Sequence, residues 1–211
     1  PVVAYADAAG PGRWDVVVRD VGTDEELSRT TVDGAFTWGG WEAPPVEIDG
    51  DLVFVGLDDD TVAVDWRAGE VTTTSLGGSS APSVAGGHVV RSDRQSIDVV
   101  DLASDEVLYS TPRDGYPYIT LSPDGRFAKV VQQDEREEQG FTVVDLRTGD
   151  ETTIDQAAWD LGWTPEGNLI SVDLKARELT TCTPTTGECS SSPISGPLGG
   201  ELKLAGNAYE S

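Results

Sequence analysis

The stretch TVVDLRTGDE, residues 142–151, occurs in five related versions along the chain. Each version is a short β-rich run, a polar turn and a second run. An aspartate ends the first run in four versions, and a threonine stands at that position in the last. The other versions are VVVRDVGTDEEL (16–27), VAVDWRAGEV (62–71), DVVDLASDEV (98–107) and TTCTPTTGEC (180–189).

The spacing of this repeat predicts the fold class. The aligned positions are Asp20, Asp65, Asp101, Asp145 and Thr183, so the steps are 45, 36, 44 and 38 residues. Strand-and-turn repeats of this length are typical of β-propeller blades, each a four-stranded antiparallel sheet. Since a blade cannot bury its faces alone, residues 1–211 are predicted to form a single all-β propeller domain.

Residues 118–154 contain one blade in full. YITLSP, RFAKVV, FTVVDL and ETTI are its four predicted strands. The Asp-Gly pair at 124–125 is expected to make a tight turn, because both residues tolerate a positive φ. After the third strand, Gly149 is expected in the left-handed region, where Asp24 and Asp105 replace it in two other blades. No stretch has the 3.6-residue periodicity of an amphipathic helix, so no helix is predicted.

The strand pattern predicts five blades. Three more full blades are predicted at 44–75, 81–111 and 159–193, whereas the N-terminal residues supply only a second, third and fourth strand. The missing first strand is predicted to be GELKLAG (200–206), which would close the ring and remove an open sheet edge. Six blades are the alternative if the chain continues upstream.

Two phrases carry a resemblance to known proteins. TLSPDGRFAKVV (120–131) resembles the repeat phrase of TolB-like and WD-repeat-like β-propellers, and GWTPEGNLISVD (162–173) is a weaker copy. The phrases DLRTGD and TTGEC resemble those of actinobacterial extracytoplasmic propeller proteins of unassigned function. The repeats lack the Gly-His and Trp-Asp pattern of true WD repeats, so the hydrogen-bonded tetrad of that class is expected to be absent. The resemblance implies a fold rather than an activity, because propellers host binding, scaffolding and catalysis alike.

The charge balance restricts the partners. The 211 residues include 38 Asp and Glu but only 14 Lys and Arg, for a net charge of −24. Such a chain repels nucleic acid and anionic lipid, which leaves cationic partners, divalent ions or simple solubility. Without an apolar run of about 18 residues, no membrane insertion of this chain is predicted, and a monomer is expected. The chain starts at Pro1 and has no methionine, which indicates a mature or trimmed fragment.

The two cysteines are placed to form a cross-strand disulfide. In a hairpin centred between Thr185 and Thr186, Cys182 lies directly opposite Cys189. Opposed strand residues have Cβ atoms about 4.5–5.5 Å apart, and a disulfide needs about 3.8 Å, so slight closing suffices. Free thiols are the alternative. A disulfide indicates an oxidising compartment outside the cytosol.

Several polar groups have a structural and a chemical interpretation. His88 is the only histidine, and it has no Gly-x-Ser-x-Gly partner, so it is expected to be a surface or inter-blade side chain. Residues 58–60, three aspartates, are expected to form a solvated turn rather than a calcium loop. The acidic residues at 134–140 are interpreted as a charged loop. The repeated aspartates are expected to cap turns rather than to form a carboxylate ring.

Aromatic and acidic residues gather where a fourth strand connects to the next first strand. In a propeller these connections surround the mouth of the central channel, and binding sites usually lie on loops carried by a rigid framework. Aromatic rings beside carboxylates suit sugars or cationic ligands. The predicted ligand-binding residues are Trp38, Trp41, Glu42, Asp114, Tyr116, Tyr118, Trp159 and Asp160.

The alternative is that these rings pack as core between blades. Trp163, which aligns with Leu121 inside a first strand, is the aromatic residue most expected to be core.

Three functional hypotheses follow. The first is a non-enzymatic extracytoplasmic domain that binds a protein or cell-envelope ligand. The alternative is a glycosidase-like, carbohydrate-active enzyme that uses Glu42, Asp114 and Asp160, two of them about 5–5.5 Å or 6.5–9.5 Å apart. The third is a spacer or sensor domain of a larger anchored protein. No cofactor and no metal site is predicted.

Overall fold

The computed structural model describes residues 1–37, 43–58, 60–74, 83–92, 95–113, 118–132, 140–157 and 161–195. Within these ranges the chain forms nineteen β-strands and no helix. No helix able to span a membrane occurs in this part of the chain. Two compact units are distinguished, Pro1–Ser110 and Thr111–Ser211.

The first unit contains three antiparallel sheets, whose strands are neighbours in the order of the sequence. The last strand of the third sheet continues for two residues past Ser110. The first sheet contains β1 (Val2–Gly10), β2 (Arg13–Asp20) and β3 (Glu26–Asp33). The second contains β4 (Val46–Asp49), β5 (Leu52–Gly56), β6 (Thr61–Asp65) and β7 (Glu70–Thr74). The third contains β8 (Val84–Ala85), β9 (His88–Ser92), β10 (Ser96–Asp101) and β11 (Val107–Pro112).

The second unit contains two four-stranded sheets with the same sequential strand order. The fourth sheet contains β12 (Tyr118–Leu121), β13 (Phe127–Val131), β14 (Phe141–Asp145) and β15 (Glu151–Ile154). The fifth contains β16 (Gly162–Trp163), β17 (Leu169–Asp173), β18 (Glu178–Cys182) and β19 (Cys189–Pro193). The strands predicted from the sequence are confirmed sheet by sheet. The strand predicted at 200–206 lies outside the described residues, and the first sheet has three described strands.

Alternation along the strands gives the second sheet two buried faces. Val46 and Ile48 pack in a cluster with Val16 and Val18 of the first sheet. Phe54, on the other face, belongs to a cluster with residues of the third sheet, namely Val84, Val89 and Val100. Apolar side chains therefore fill the space on both sides of this sheet.

A third cluster forms the core of the second unit. It joins residues of the fourth sheet to residues of the fifth, and its buried members include Phe127, Phe141, Ile154, Leu161, Leu169 and Cys182. Trp163 stacks on Phe127 with ring centroids 6.5 Å apart. The Trp163 indole N–H donates to the Thr120 hydroxyl at 3.3 Å. Trp163 thus packs against this core, as the sequence alignment predicts.

The repeated aspartates cap the turn that follows the third strand. Asp20 accepts hydrogen bonds from the N–H groups of Gly22 and Thr23, both at 2.8 Å. These donors, the Thr23 N–H first, hold the pKa of Asp20 below its usual value. Asp65, Asp101 and Asp145 accept equivalent bonds from the residues that follow them. The predicted turn-capping role is confirmed. Asp173, which the repeat pattern does not mark, caps the β17–β18 turn in the same way.

The left-handed positions also follow the sequence prediction. Gly149 has a φ of 75°, and Asp24 and Asp105 take φ values of 58° and 57° at the matching positions. The predicted tight turn at Asp124-Gly125 is present, closed by the Gly125 N–H to the Ser122 carbonyl at 2.8 Å, and only Gly125 has a positive φ. The Asp124 side chain accepts hydrogen bonds from the Ser122 hydroxyl and the Arg126 N–H within this turn.

The two cysteines form the predicted disulfide. Cys182 lies directly opposite Cys189 in the β18–β19 register, with Cα atoms 4.0 Å apart. Cys182 is fully buried in the core of the second unit. The bond links two strands, β18 and β19, that are already paired by backbone hydrogen bonds.

Reduction of this disulfide is expected to lower the melting temperature only modestly. The bond closes a loop with a sequence separation of 7. The chain-entropy model gives at most about 2–3 kcal/mol for so short a loop. Melting curves with and without reductant, at one pH and salt concentration, measure the change. Two free thiols in the intact mass of protein purified without reductant would contradict the bond itself.

Candidate functional site

Strand direction places the connections at two ends of each four-stranded sheet. The first-to-second and third-to-fourth turns leave from one end, which we call the turn end. The second-to-third connections and those from a fourth strand to the next first strand leave from the opposite end, the loop end. By sequence position, the predicted ligand residues belong to the loop-end connections after β3, β11 and β15, or to the strand start that follows. Seven of the eight lie outside the described residues: Trp38, Trp41, Glu42, Asp114, Tyr116, Trp159 and Asp160.

Tyr118 is the predicted ligand residue that the structure describes. It begins β12, directly opposite Val131 of β13. Its side chain is partly buried and packs against the core of the second unit. The Tyr118 ring therefore contributes to core packing at the loop end of the fourth sheet.

Asp58 holds the stem of the connection that carries Trp38 and Trp41. Its two carboxylate oxygens accept from the Thr37 N–H at 2.9 Å and from the Thr37 hydroxyl at 2.8 Å. The Asp58 N–H donates to the Ala35 carbonyl at 2.9 Å. The residue just before Trp38 is thereby fixed to the β5–β6 connection. Asp58 thus anchors a neighbouring connection, whereas the sequence predicts only a solvated turn for residues 58–60.

Lys129 performs a similar task in the second unit. Its side chain is buried on β13, and its ammonium donates to the Leu161 carbonyl at 2.6 Å. Leu161 directly follows Trp159 and Asp160 in the chain, so this bond fixes the end of the connection between β15 and β16. Burial lowers the pKa of Lys129 from 10.5 to about 8. The only sequence signal for this role is one lysine inside the apolar strand FAKVV.

His88 lies at the turn end, beside a turn-capping aspartate. Its Nε2 atom is 3.7 Å from an Asp101 carboxylate oxygen, and both side chains are partly exposed. The Ser104 hydroxyl and N–H bind the Asp101 carboxylate and keep its pKa below the usual value. This arrangement agrees with the structural role expected for His88. Across the described ranges, no group of three or more His, Cys, Asp or Glu side chains is placed to hold a metal ion.

Sequence comparison and structure comparison give different results for this chain. No model of a known protein family matches it, and no curated protein has a significant sequence match to it. Solved structures do match. Hsv2p from Kluyveromyces lactis has 15% identity, a TM-score of 0.52, and coverage of 84% of this chain and 60% of its own.

Two further matches are similar in strength. AztD from Citrobacter koseri, in its apo form, has 14% identity and a TM-score of 0.51, covering 92% of this chain and 60% of its own. The dihydro-heme d1 dehydrogenase NirN in complex with DHE has 15% identity and a TM-score of 0.55, covering 92% and 44%. All three are β-propellers. The chain folds as a β-propeller of four-stranded antiparallel blades.

The likeness is one of fold. This propeller spans 44% to 60% of the length of those structures, and identities of 14% to 15% carry no information about activity. The predicted resemblance to TolB-like and WD-repeat-like propellers is confirmed at the level of the fold. Among the described residues, four of the five sheets have the four antiparallel strands of a blade, and the first has three.

Proposed function

We propose that this propeller is a non-enzymatic, extracytoplasmic binding or scaffold domain whose ligand contacts its loop-end connections. The observation that carries the proposal is the pair of stem contacts made by Asp58 and Lys129. Each fixes one stem of a connection in which the sequence places tryptophan and acidic residues. A binding loop on a rigid framework requires such fixed stems.

The composition of these connections defines the ligand class. They contain tryptophan and tyrosine together with Glu42, Asp114 and Asp160. Aromatic faces beside carboxylates suit a carbohydrate or a cationic surface of a protein. A net charge of −24 favours a cationic partner and opposes nucleic acid. In this role residues 1–211 act as one monomeric domain.

The disulfide supports the proposed location. Disulfides persist in oxidising compartments and are rare in the reducing cytosol. The Cys182–Cys189 bond therefore suits a protein exposed outside the cytoplasm.

Capture from a cell-envelope extract of the source organism tests the proposal. The baits are the wild-type domain, a Trp41→Ala, Trp159→Ala variant, and a Val21→Ala, Arg147→Ala control. Val21 and Arg147 are exposed and lie in third-to-fourth-strand turns, at the turn end. The three proteins are first shown to have the same melting temperature.

We expect the wild type and the control to bind the same component, and the tryptophan variant to lose at least about tenfold in affinity for it once purified. Treating the extract with periodate or with protease then separates a glycan from a protein ligand. Equal binding by all three baits would contradict the proposal and favour the spacer hypothesis.

A further inference from the structure

Glu47 is a carboxylate inside an apolar layer. It lies on β4, the first strand of the second blade. Its neighbours Val46 and Ile48 pack toward the first blade. Glu47 faces the other way and stands directly opposite Phe54, which is 1% exposed and clusters with Val84 of the third blade. The Glu47 side chain thus lies on the face of β4 that is turned toward the third blade.

The carboxylate of Glu47 has no partner in the described part of the chain. Among the described residues, no hydrogen-bond donor and no cation contacts it. The charged residues of the third blade on this side, Arg91 and Asp98, lie 3.7 Å apart and form an ion pair with each other. Asp49, on the same strand, accepts the Gly87 N–H at 2.7 Å. Neither β5 nor β8 carries a charged side chain.

The carboxylate of Glu47 is not fully enclosed. Within the described part of the chain, the one fully buried side-chain nitrogen or oxygen without a hydrogen bond is Nε of Arg19. Both Glu47 oxygens therefore keep some contact with solvent, although the side chain is largely enclosed. Enclosure without a partner raises the pKa of Glu47 from 4.5 to about 7.

The corresponding layer of the second unit contains the opposite charge. Lys129 is the third of five residues in β13, as Phe54 is in β5, and stands opposite Thr120 as Phe54 stands opposite Glu47. There the ammonium is satisfied internally by the Leu161 carbonyl at 2.6 Å. An ammonium–oxygen contact therefore fits into this type of layer. In the second blade the oxygen is present and the ammonium is not supplied by the described residues.

We propose that Glu47 forms a binding site for an alkylammonium group, such as a lysine side chain or a polyamine, beside the contact between β4 and β8. A carboxylate without a partner in an apolar layer is unfavourable, and an ammonium ion supplies both the missing charge and the hydrogen-bond donors. A calcium ion needs six to eight oxygens, whereas one free carboxylate is offered by the described residues here. This site is separate from the loop-end connections of the proposed function.

Titration of Glu47 by carbon-13 NMR tests the proposal. The wild-type domain carries labelled glutamate, and the Glu47→Gln variant assigns the side-chain carboxyl signal. The titration is run in propylammonium chloride, and in sodium chloride at the same ionic strength. We expect the midpoint near pH 7 in sodium chloride to fall by about one unit or more in propylammonium, since a close opposite charge lowers a carboxyl pKa by about 1–3 units.

A second measurement follows binding directly. Calorimetric titration with spermidine is expected to show at least about tenfold weaker binding for Glu47→Gln, and unchanged binding for a Glu106→Gln control in an exposed turn. An equal midpoint in the two salts would overturn the proposal. The titration is also repeated in calcium chloride. If calcium lowers the Glu47 midpoint more than propylammonium does, the proposed amine ligand is wrong and the site binds a metal ion.

Discussion

Replacing Glu47 with glutamine is expected to raise the melting temperature at pH 8 and to change it little at pH 4.5. Burial raises the pKa of Glu47 in the folded protein to about 7, above the ordinary value of 4.5. Below pH 4.5 the carboxyl is protonated in the folded and the unfolded chain, so it adds no pH-dependent penalty. Between pH 4.5 and 7 only the unfolded chain releases the proton, so the folded state loses stability as the pH rises.

Above pH 7 the penalty is complete, and glutamine removes it. One pKa unit corresponds to about 1.36 kcal/mol, so the gain is on the order of 3 kcal/mol at most. For a domain of this size that is a rise in melting temperature of at most about 6–12 °C. Melting curves of both proteins from pH 4.5 to 8.5 measure the difference, with Glu106→Gln as the control at an exposed site. A difference independent of pH would show that glutamine acts through packing and not through charge.

Replacing Gly187 with alanine is expected to destabilise the fold far more than the same change at Gly149. The two glycines occupy matching turn positions and have φ values of 72° and 75°. A Cβ atom at Gly149 would meet nothing within 4 Å, whereas at Gly187 it would lie 2.6 Å from the Thr153 carbonyl oxygen. Gly187→Ala therefore adds a collision with the backbone of β15 to the backbone strain that both variants share.

Gly149→Ala is expected to lower the free energy of unfolding by about 1 kcal/mol, the ordinary penalty for a left-handed alanine. Gly187→Ala is expected to lower it by about 3 kcal/mol or more, because overpacking adds roughly 1–3 kcal/mol. Urea unfolding of the two variants beside the wild type measures both values. Equal losses would mean that the turn of the fifth blade can move away from β15 without penalty.

The local parts of this fold were predictable because the signals for them are local. Alternating apolar residues and turn-capping aspartates such as Asp145 lie within one hairpin, and so do the cysteines, whose pairing follows from counting outward from the turn centre. The Thr37–Asp58 contact joins residues 21 positions apart in different connections, and no pattern in either stretch reports it. Glu47 and Lys129 were missed because each interrupts an apolar strand by one residue. Whether such a residue faces solvent or another blade depends on how the sheets pack.

The contrast between the two ends of each sheet determines where this protein can change. At the turn end, the turns between the third and fourth strands are short and similar in length. The shortest is residues 66–69 and the longest is residues 183–188. Most are capped by hydrogen bonds to the aspartate that ends the third strand. At the loop end, the connections between successive blades differ in length. The shortest is residues 113–117 and the longest is residues 34–45. Because loop closure becomes only slowly less favourable with length, sequence can be inserted at the loop end without disturbing the hairpins. The blade ends opposite the capped turns are therefore natural places for grafting foreign recognition loops, and for sequence divergence that leaves the framework intact.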